Sequence, residues 1–311
     1  MRGTDRFENI IQRVNEISQN HYDETLPVID MEFESLDHMW VSGREVEVLP
    51  SAQRLIANRL RVPHSYLTRC PEDLQSRNLN YWIQEEAKKR DNLFCRFDGN
   101  KLRAVFTDRY TALDHMEVLS KMLEHGFSPD AEVHFYLDQT MLVVKVPDYA
   151  KRFGFNGDGI VPGISIANSE VGVLAFSIEA YFFRLICSNG LIAKTAVSSK
   201  FKHISRKGLD EFPVIMGQVV HESEQSQGRF LISMETPVDN PESSMAAFNR
   251  QFQINKSQAE AVESAYFNEP GNTMFHIINA YTGGAHSPGL SVEEAYHLER
   301  VGGLILAMGK H

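Results

Sequence analysis

Cysteine is scarce in this 311-residue chain: Cys70, Cys95 and Cys187 lie far apart, and no C-x-x-C occurs. The spacing argues against a disulfide framework and a cysteine-rich zinc site, and it suits a reducing compartment. No apolar run approaches the roughly 18 residues of a membrane span. The opening MRGTDRFENI is not built like a signal peptide, so a cytoplasmic protein without membrane contact is expected. The 12 prolines and 20 glycines are scattered, which excludes a collagen-like or linker-dominated chain. The phosphate-binding pattern G-x-x-x-x-G-K-[ST] is missing, as are H-E-x-x-H and G-x-S-x-G. Gly154, Gly157 and Gly159 have the wrong spacing for a dinucleotide fingerprint. The histidines His64, His115, His203 and His286 are isolated from one another, a pattern more common for packed or surface residues than for ligands. No cofactor and no covalent catalysis are expected.

The chain is acidic, with 31 basic against 41 acidic side chains and a net charge of −10. That balance argues against general polyanion binding. Charge is unevenly spread, however. Residues 51–110 carry 12 basic and 7 acidic side chains, and residues 151–210 carry 8 and 4. Residues 1–50, 111–150 and 211–311 are acidic. Two basic blocks between acidic ends are what one positively charged surface assembled from both would require.

Hydrophobic spacing predicts an amphipathic helix over residues 4–20 and a half-buried strand over 28–34. A short hairpin at Ser42-Gly43 follows, then helices capped by Ser51 and after Pro71. Leu93, Cys95 and Phe97 alternate into the turn Asp98-Gly99-Asn100, and Leu102, Ala104 and Phe106 alternate out of it. Asp114 caps a helix that ends at Gly126, and strands flank Asp138-Gln139. Residues 153–163 read as a mobile loop, and 164–168 and 174–185 as strands. Helices are expected at 209–222, 254–267 and 291–308, with an exposed connection at 236–246. The fold class is therefore α+β, a β-hairpin–helix–β-hairpin core with antiparallel sheet, plus helical N- and C-terminal segments. The expected divisions are 1–50, an N-terminal helix and strand segment; 51–208, the α+β core with the binding groove; and 209–311, mainly helical.

Three groups of residues carry candidate chemistry. In Lys200-Phe-Lys-His-Ile-Ser-Arg-Lys207, the cations Lys200, Lys202, Arg206 and Lys207 can displace counterions from a phosphate backbone. Phe201 offers a base a stacking face there. On the hairpin, Arg103, Arg109 and Tyr110 supply two guanidiniums and a ring, with Arg96 able to share the side of Arg103. Arg184 sits where a strand meets the turn Cys-Ser-Asn-Gly, whose amides could hold a phosphate. Asp138 with Lys145, or Glu170 with Glu179, are the carboxylate sets a metal nuclease could use.

Several stretches together resemble a phage- and plasmid-borne family of unknown function. They are Val62-Pro-His-Ser-Tyr-Leu67, Leu102 to Asp114, Asn168-Ser-Glu-Val-Gly172, Arg184-Leu-Ile-Cys-Ser-Asn-Gly190, Asn279-Ala-Tyr-Thr282 and Leu298-Glu-Arg-Val-Gly302. The hairpin–helix–hairpin order, the following basic stretch and the missing nucleotide site also resemble the RecT and Redβ type of single-strand annealing protein. That resemblance implies ATP-independent binding of single-stranded DNA and strand annealing in phage-type recombination, by a ring or helical homo-oligomer. It further implies a bacterial host cytoplasm and a single-stranded DNA-binding protein or exonuclease as partner. The alternatives are a phage-encoded interaction or anti-defence protein, which the acidic surface suits, and a metal-dependent nuclease.

Overall fold

The computed structural model describes residues 1–153, 159–184, 189–193 and 210–308. Its strands form two six-stranded sheets among the described residues. The chain enters the first sheet with β1 (Arg2–Arg6) and α1 (Phe7–Ile17). It then leaves to build the whole second sheet from β2 (His21–Pro27), β3 (Met31–Phe33), β4 (His38–Val41), β5 (Arg44–Val48), β6 (Asn92–Asp98) and β7 (Lys101–Phe106). Helices α2 (Pro50–Leu60), α3 (His64–Leu67) and α4 (Glu72–Ala87) fall between β5 and β6. The order across this sheet is β2-β6-β7-β5-β4-β3, with β5 and β7 parallel and the other pairs antiparallel.

The chain returns through α5 (His115–Glu124) to β8 (Glu132–Leu137), β9 (Leu142–Pro147), β10 (Ile160–Asn168), β11 (Ser177–Arg184) and β12 (Asn189–Ala193). These follow β1 in spatial order and are antiparallel throughout. Among the described residues, five helices follow: α6 (Phe212–Glu235), α7 (Pro241–Gln251), α8 (Lys256–Asn268), α9 (Met274–Gly284) and α10 (Val292–Met308).

Two apolar cores follow from this path. One joins α2 and α4 to the second sheet, through Ile56, Leu79, Ile83, Phe33, Leu93 and Phe97. The other joins Phe7, Ile10 and Val14 of α1 to α5, the first sheet and the C-terminal helices. The pleat of the first sheet separates its faces. Phe182 on one face packs on Phe230 of α6, with ring centroids 5.0 Å apart. Glu179 and Tyr181 alternate with it and take the other face, where Tyr296 of α10 reaches Glu179.

Local chemistry accounts for most elements. Ser42 and Gly43 both take positive φ, as a two-residue hairpin turn requires. Asp114 and Glu117 form a capping box on α5, and Gly126 follows the helix in the left-handed region. The α+β class and both hairpins around α5 are present, with β6–β7 in one sheet and β8–β9 in the other.

Other expectations change. Residues 4–6, read as helix, belong to strand β1, paired with β8. Ile29 lies in a short 3-10 turn and is 72% exposed, and only Met31 and Phe33 of its alternating set are buried. Ser51 does not cap α2; Pro50 opens the helix and the Ser51 hydroxyl donates to the Arg103 carbonyl. Residues 160–163, read as loop, are the first part of β10. Residues 241–246, read as connection, open α7, capped by Asn240.

Candidate functional site

The sequence-predicted residues meet different fates. Lys200, Phe201, Lys202, Arg206 and Lys207 lie outside the described residues, as does Ser188. Arg109 is exposed. Tyr110 is half-buried, its ring stacked on Phe106 with centroids 3.7 Å apart. Burial pushes the Tyr110 phenol up to about 12. Arg184 is paired with Glu269 at 2.7 Å and lies over the Phe275 ring. Arg103 is 4% exposed and pairs with Glu170 at 2.8 Å, so it does not line an electropositive ribbon. Arg96 is likewise buried, donating to Asp23 at 2.9 Å and to Asp114.

Arg103 and Arg96 instead belong to a buried polar junction between the two sheets. Glu170, in the turn after β10, is its hub. One carboxylate oxygen accepts from Arg103 and the other from the His115 backbone N–H at 2.8 Å. Its carbonyl takes Arg96 at 3.3 Å. Arg103 also donates to Nδ1 of His21, 2.9 Å away. Burial opposes ionisation of Glu170. The charge of Arg103 and the His115 amide override that and hold the carboxyl well below the usual range. His115 accepts from Asn168 at Nδ1, and burial pushes it down to about 4, so it is neutral at pH 7. The junction ties Leu102–Asp114 to Asn168–Gly172, two stretches that the sequence singles out separately.

The carboxylate pairs considered for metal chemistry are not pairs. Glu170 serves the junction, while Glu179 accepts from Tyr296 and from Arg300 at 3.0 Å. Asp138 caps its own turn through Thr140 and Met141, and Lys145 points elsewhere. Among the described residues no group of three His, Cys, Asp or Glu is placed to hold a metal ion.

Lys145 belongs to a polar row across the first sheet. Strand register sets Thr4, His134, Lys145, Ser165 and Glu179 side by side on five successive strands. Glu299 of α10 meets this row: Lys145 Nζ lies 2.6 Å from one of its oxygens, which also accepts from the Tyr136 hydroxyl at 2.8 Å. Burial pulls the Lys145 ammonium below its ordinary value, and Glu299 counters this.

Exposed cations gather instead on α2 and α3. From Val48 to Pro71 the chain has no Asp or Glu. Arg54, Arg61 and Arg69 are exposed there and make no ion pair among the described residues. Arg54 lies on α2, Arg61 is its C-cap in the left-handed region, and Arg69 follows α3. His64 opens α3, and burial, then the charge of Arg54, lower its pKa. Tyr66 on the same short helix is 38% exposed. Sequence reasoning counted these arginines within a basic block without singling them out; the carboxylate-free stretch is the signal that finds them.

No helix among the described residues is long and apolar enough to cross a membrane. No curated protein matches the chain. No solved structure matches it. Nothing in the comparisons links the chain to the RecT and Redβ type. A family profile described as a domain of unknown function (DUF932) matches residues 103–297, from the buried Arg103 to two residues before Glu299. With that match over more than half of its length, the chain belongs to the DUF932 family.

Proposed function

We propose that this protein binds single-stranded DNA without a nucleotide cofactor and brings complementary strands together, acting as a homo-oligomer. The observation that carries the reading is the set of exposed arginines on and around α2 and α3, in a stretch free of carboxylates from Val48 to Pro71 that also bears Tyr66. Unpaired guanidiniums neutralise phosphates without reading sequence, and an exposed ring gives a base a stacking surface. The run Lys200–Lys207 adds four cations by sequence. The acidic remainder of the chain keeps the polyanion from binding elsewhere and keeps an oligomer soluble.

The test is fluorescence anisotropy of a labelled oligonucleotide across a salt series, with Arg54→Glu/Arg61→Glu/Arg69→Glu as variant. Each lost phosphate contact reduces the log–log salt slope by about 0.7, so the triple variant is expected to lose about 2 units of slope. Complementary oligonucleotides with a fluorophore and a quencher report annealing in the same samples. An unchanged slope in a folded variant removes these arginines from the interface. No binding by the parent protein at low salt removes the function. Shortening of the oligonucleotide with added magnesium favours the nuclease reading instead.

A further inference from the structure

Helix α10 leaves part of the polar face of the first sheet uncovered, and a cleft of about 460 Å³ opens there. Its size lies within the range of small-molecule sites, roughly 300–1,000 Å³. Its floor is the Lys145–Glu299 pair, with both side chains at most 3% exposed. Lys145 Nζ sits 3.8 Å from the Tyr136 ring centroid and 5.6 Å from that of Tyr181. His134 forms a wall, its ring 4.3 Å from Phe183.

The formal charges lining the cleft cancel in sum, Arg2 and Lys145 against Glu132 and Glu299. Lys145 and Glu299 neutralise each other. Arg2 donates to the Ala285 carbonyl at 2.8 Å and to that of Ser287. Glu132 accepts from the Tyr149 hydroxyl at 2.9 Å. A cleft with no net charge, its one ion pair closed on itself at the floor, gives an ionic ligand no general attraction. What the chain leaves unmatched is Nε2 of His134, buried and with no hydrogen-bond partner. Its other nitrogen lies 3.1 Å from the Thr4 hydroxyl. A buried ion pair is poor evidence for stability, because well-packed apolar residues often do as well. One kept at the floor of an open, aromatic-walled cleft serves recognition better than packing.

We propose that this cleft binds an uncharged planar heterocycle with donors and acceptors along its edge, the class of the nucleobases and nucleosides. The aromatic walls offer the ring its stacking surface. His134 Nε2 meets one edge group, and the remaining lone pairs of Glu299 accept from another. The neutral imidazole matters, because a charged one could only donate and would sit against Lys145. Burial first, then the charges of Lys145 and His286, push His134 down to about 4. The site is independent of the exposed arginines, which lie on and around helices of the other sheet.

Isothermal titration with adenosine, guanosine, cytidine and thymidine, and with inorganic phosphate, tests the proposal. At least one nucleoside is expected to bind with a sub-millimolar Kd, and phosphate is expected neither to bind nor to compete. His134→Phe keeps the ring stacking and removes the nitrogen; it should weaken the nucleoside about tenfold, a difference of about 1.4 kcal/mol. If that variant does not fold, Thr4→Val, an exposed change that frees the His134 ring, should weaken binding about threefold. Absence of nucleoside binding in the parent overturns the proposal. So does tighter binding of phosphate, or an affinity unchanged by the substitution that folds.

Discussion

Arg103 illustrates how one residue can be read correctly as chemistry and wrongly as place. Its alternation with Leu102 and Ala104 is what a strand with one solvated side shows, so a guanidinium there reads as surface charge. The side it occupies faces the first sheet instead, where Glu170, sixty-seven positions further along, receives it. A buried Arg–Glu pair is strongly asymmetric under substitution. Removing one partner leaves the other charged and desolvated, at about 3–5 kcal/mol. Arg103→Ala is therefore expected to lower the unfolding free energy by about that amount, as urea denaturation would measure. The same variant, held well below its melting point, should keep the parent's DNA salt slope, since an enclosed guanidinium touches no phosphate. A uniform loss of DNA affinity with parent stability would place Arg103 on the surface after all.

At the level of elements, local signals were read well where the turn or cap chemistry is local. The hairpins at Ser42-Gly43 and Asp98-Gly99, the α5 cap at Asp114 and its stop at Gly126 all follow from residues within a few positions of one another. The edge strands carry no such local signal, for a physical reason. β1 and β2, with sequences RGTDR and HYDETLP, are mostly exposed and lack apolar alternation, and only their pairing with β8 and β6 makes them strands. The first part of β10 reads as loop in sequence because of Gly163 and its glycine-rich surroundings. Gly163 is there for close approach: a Cβ would lie 2.2 Å from the Val146 carbonyl oxygen and 2.8 Å from the Pro147 Cα on β9. Gly163→Ala must push these strands apart. It is expected to cost about 1–3 kcal/mol, as overpacking does, and to raise hydrogen exchange at the β9–β10 amides. Parent-like stability would mean the two strands are not so closely apposed.

The whole molecule holds its sites together through contacts far apart in sequence, which is why neither the junction nor the cleft is legible in any window of the chain. Lys145 and Glu299 are separated by 154 positions, and His21 and Glu170 meet only because the chain leaves the first sheet and returns. Assembly of this kind makes stability depend on pH. His115 and His134 are held down to about 4 chiefly by burial, against an ordinary value of 6.5. The unfolded chain therefore binds two protons that the folded one refuses as pH falls from 6.5 toward 4, and folding weakens through that window. Glu170, whose carboxyl is held low, adds stability that is present above its ordinary 4.5 and is lost below it. At about 1.4 kcal/mol per pH unit, each histidine is expected to remove about 2 kcal/mol between pH 6.5 and pH 5. Urea unfolding at pH 7 and pH 5 should thus differ by about 4 kcal/mol, with the loss roughly halved in His134→Phe. Equal stability at the two pH values would mean that these imidazoles take up protons in the folded chain, and with them charged, neither the junction nor the cleft could keep the hydrogen bonds described for it.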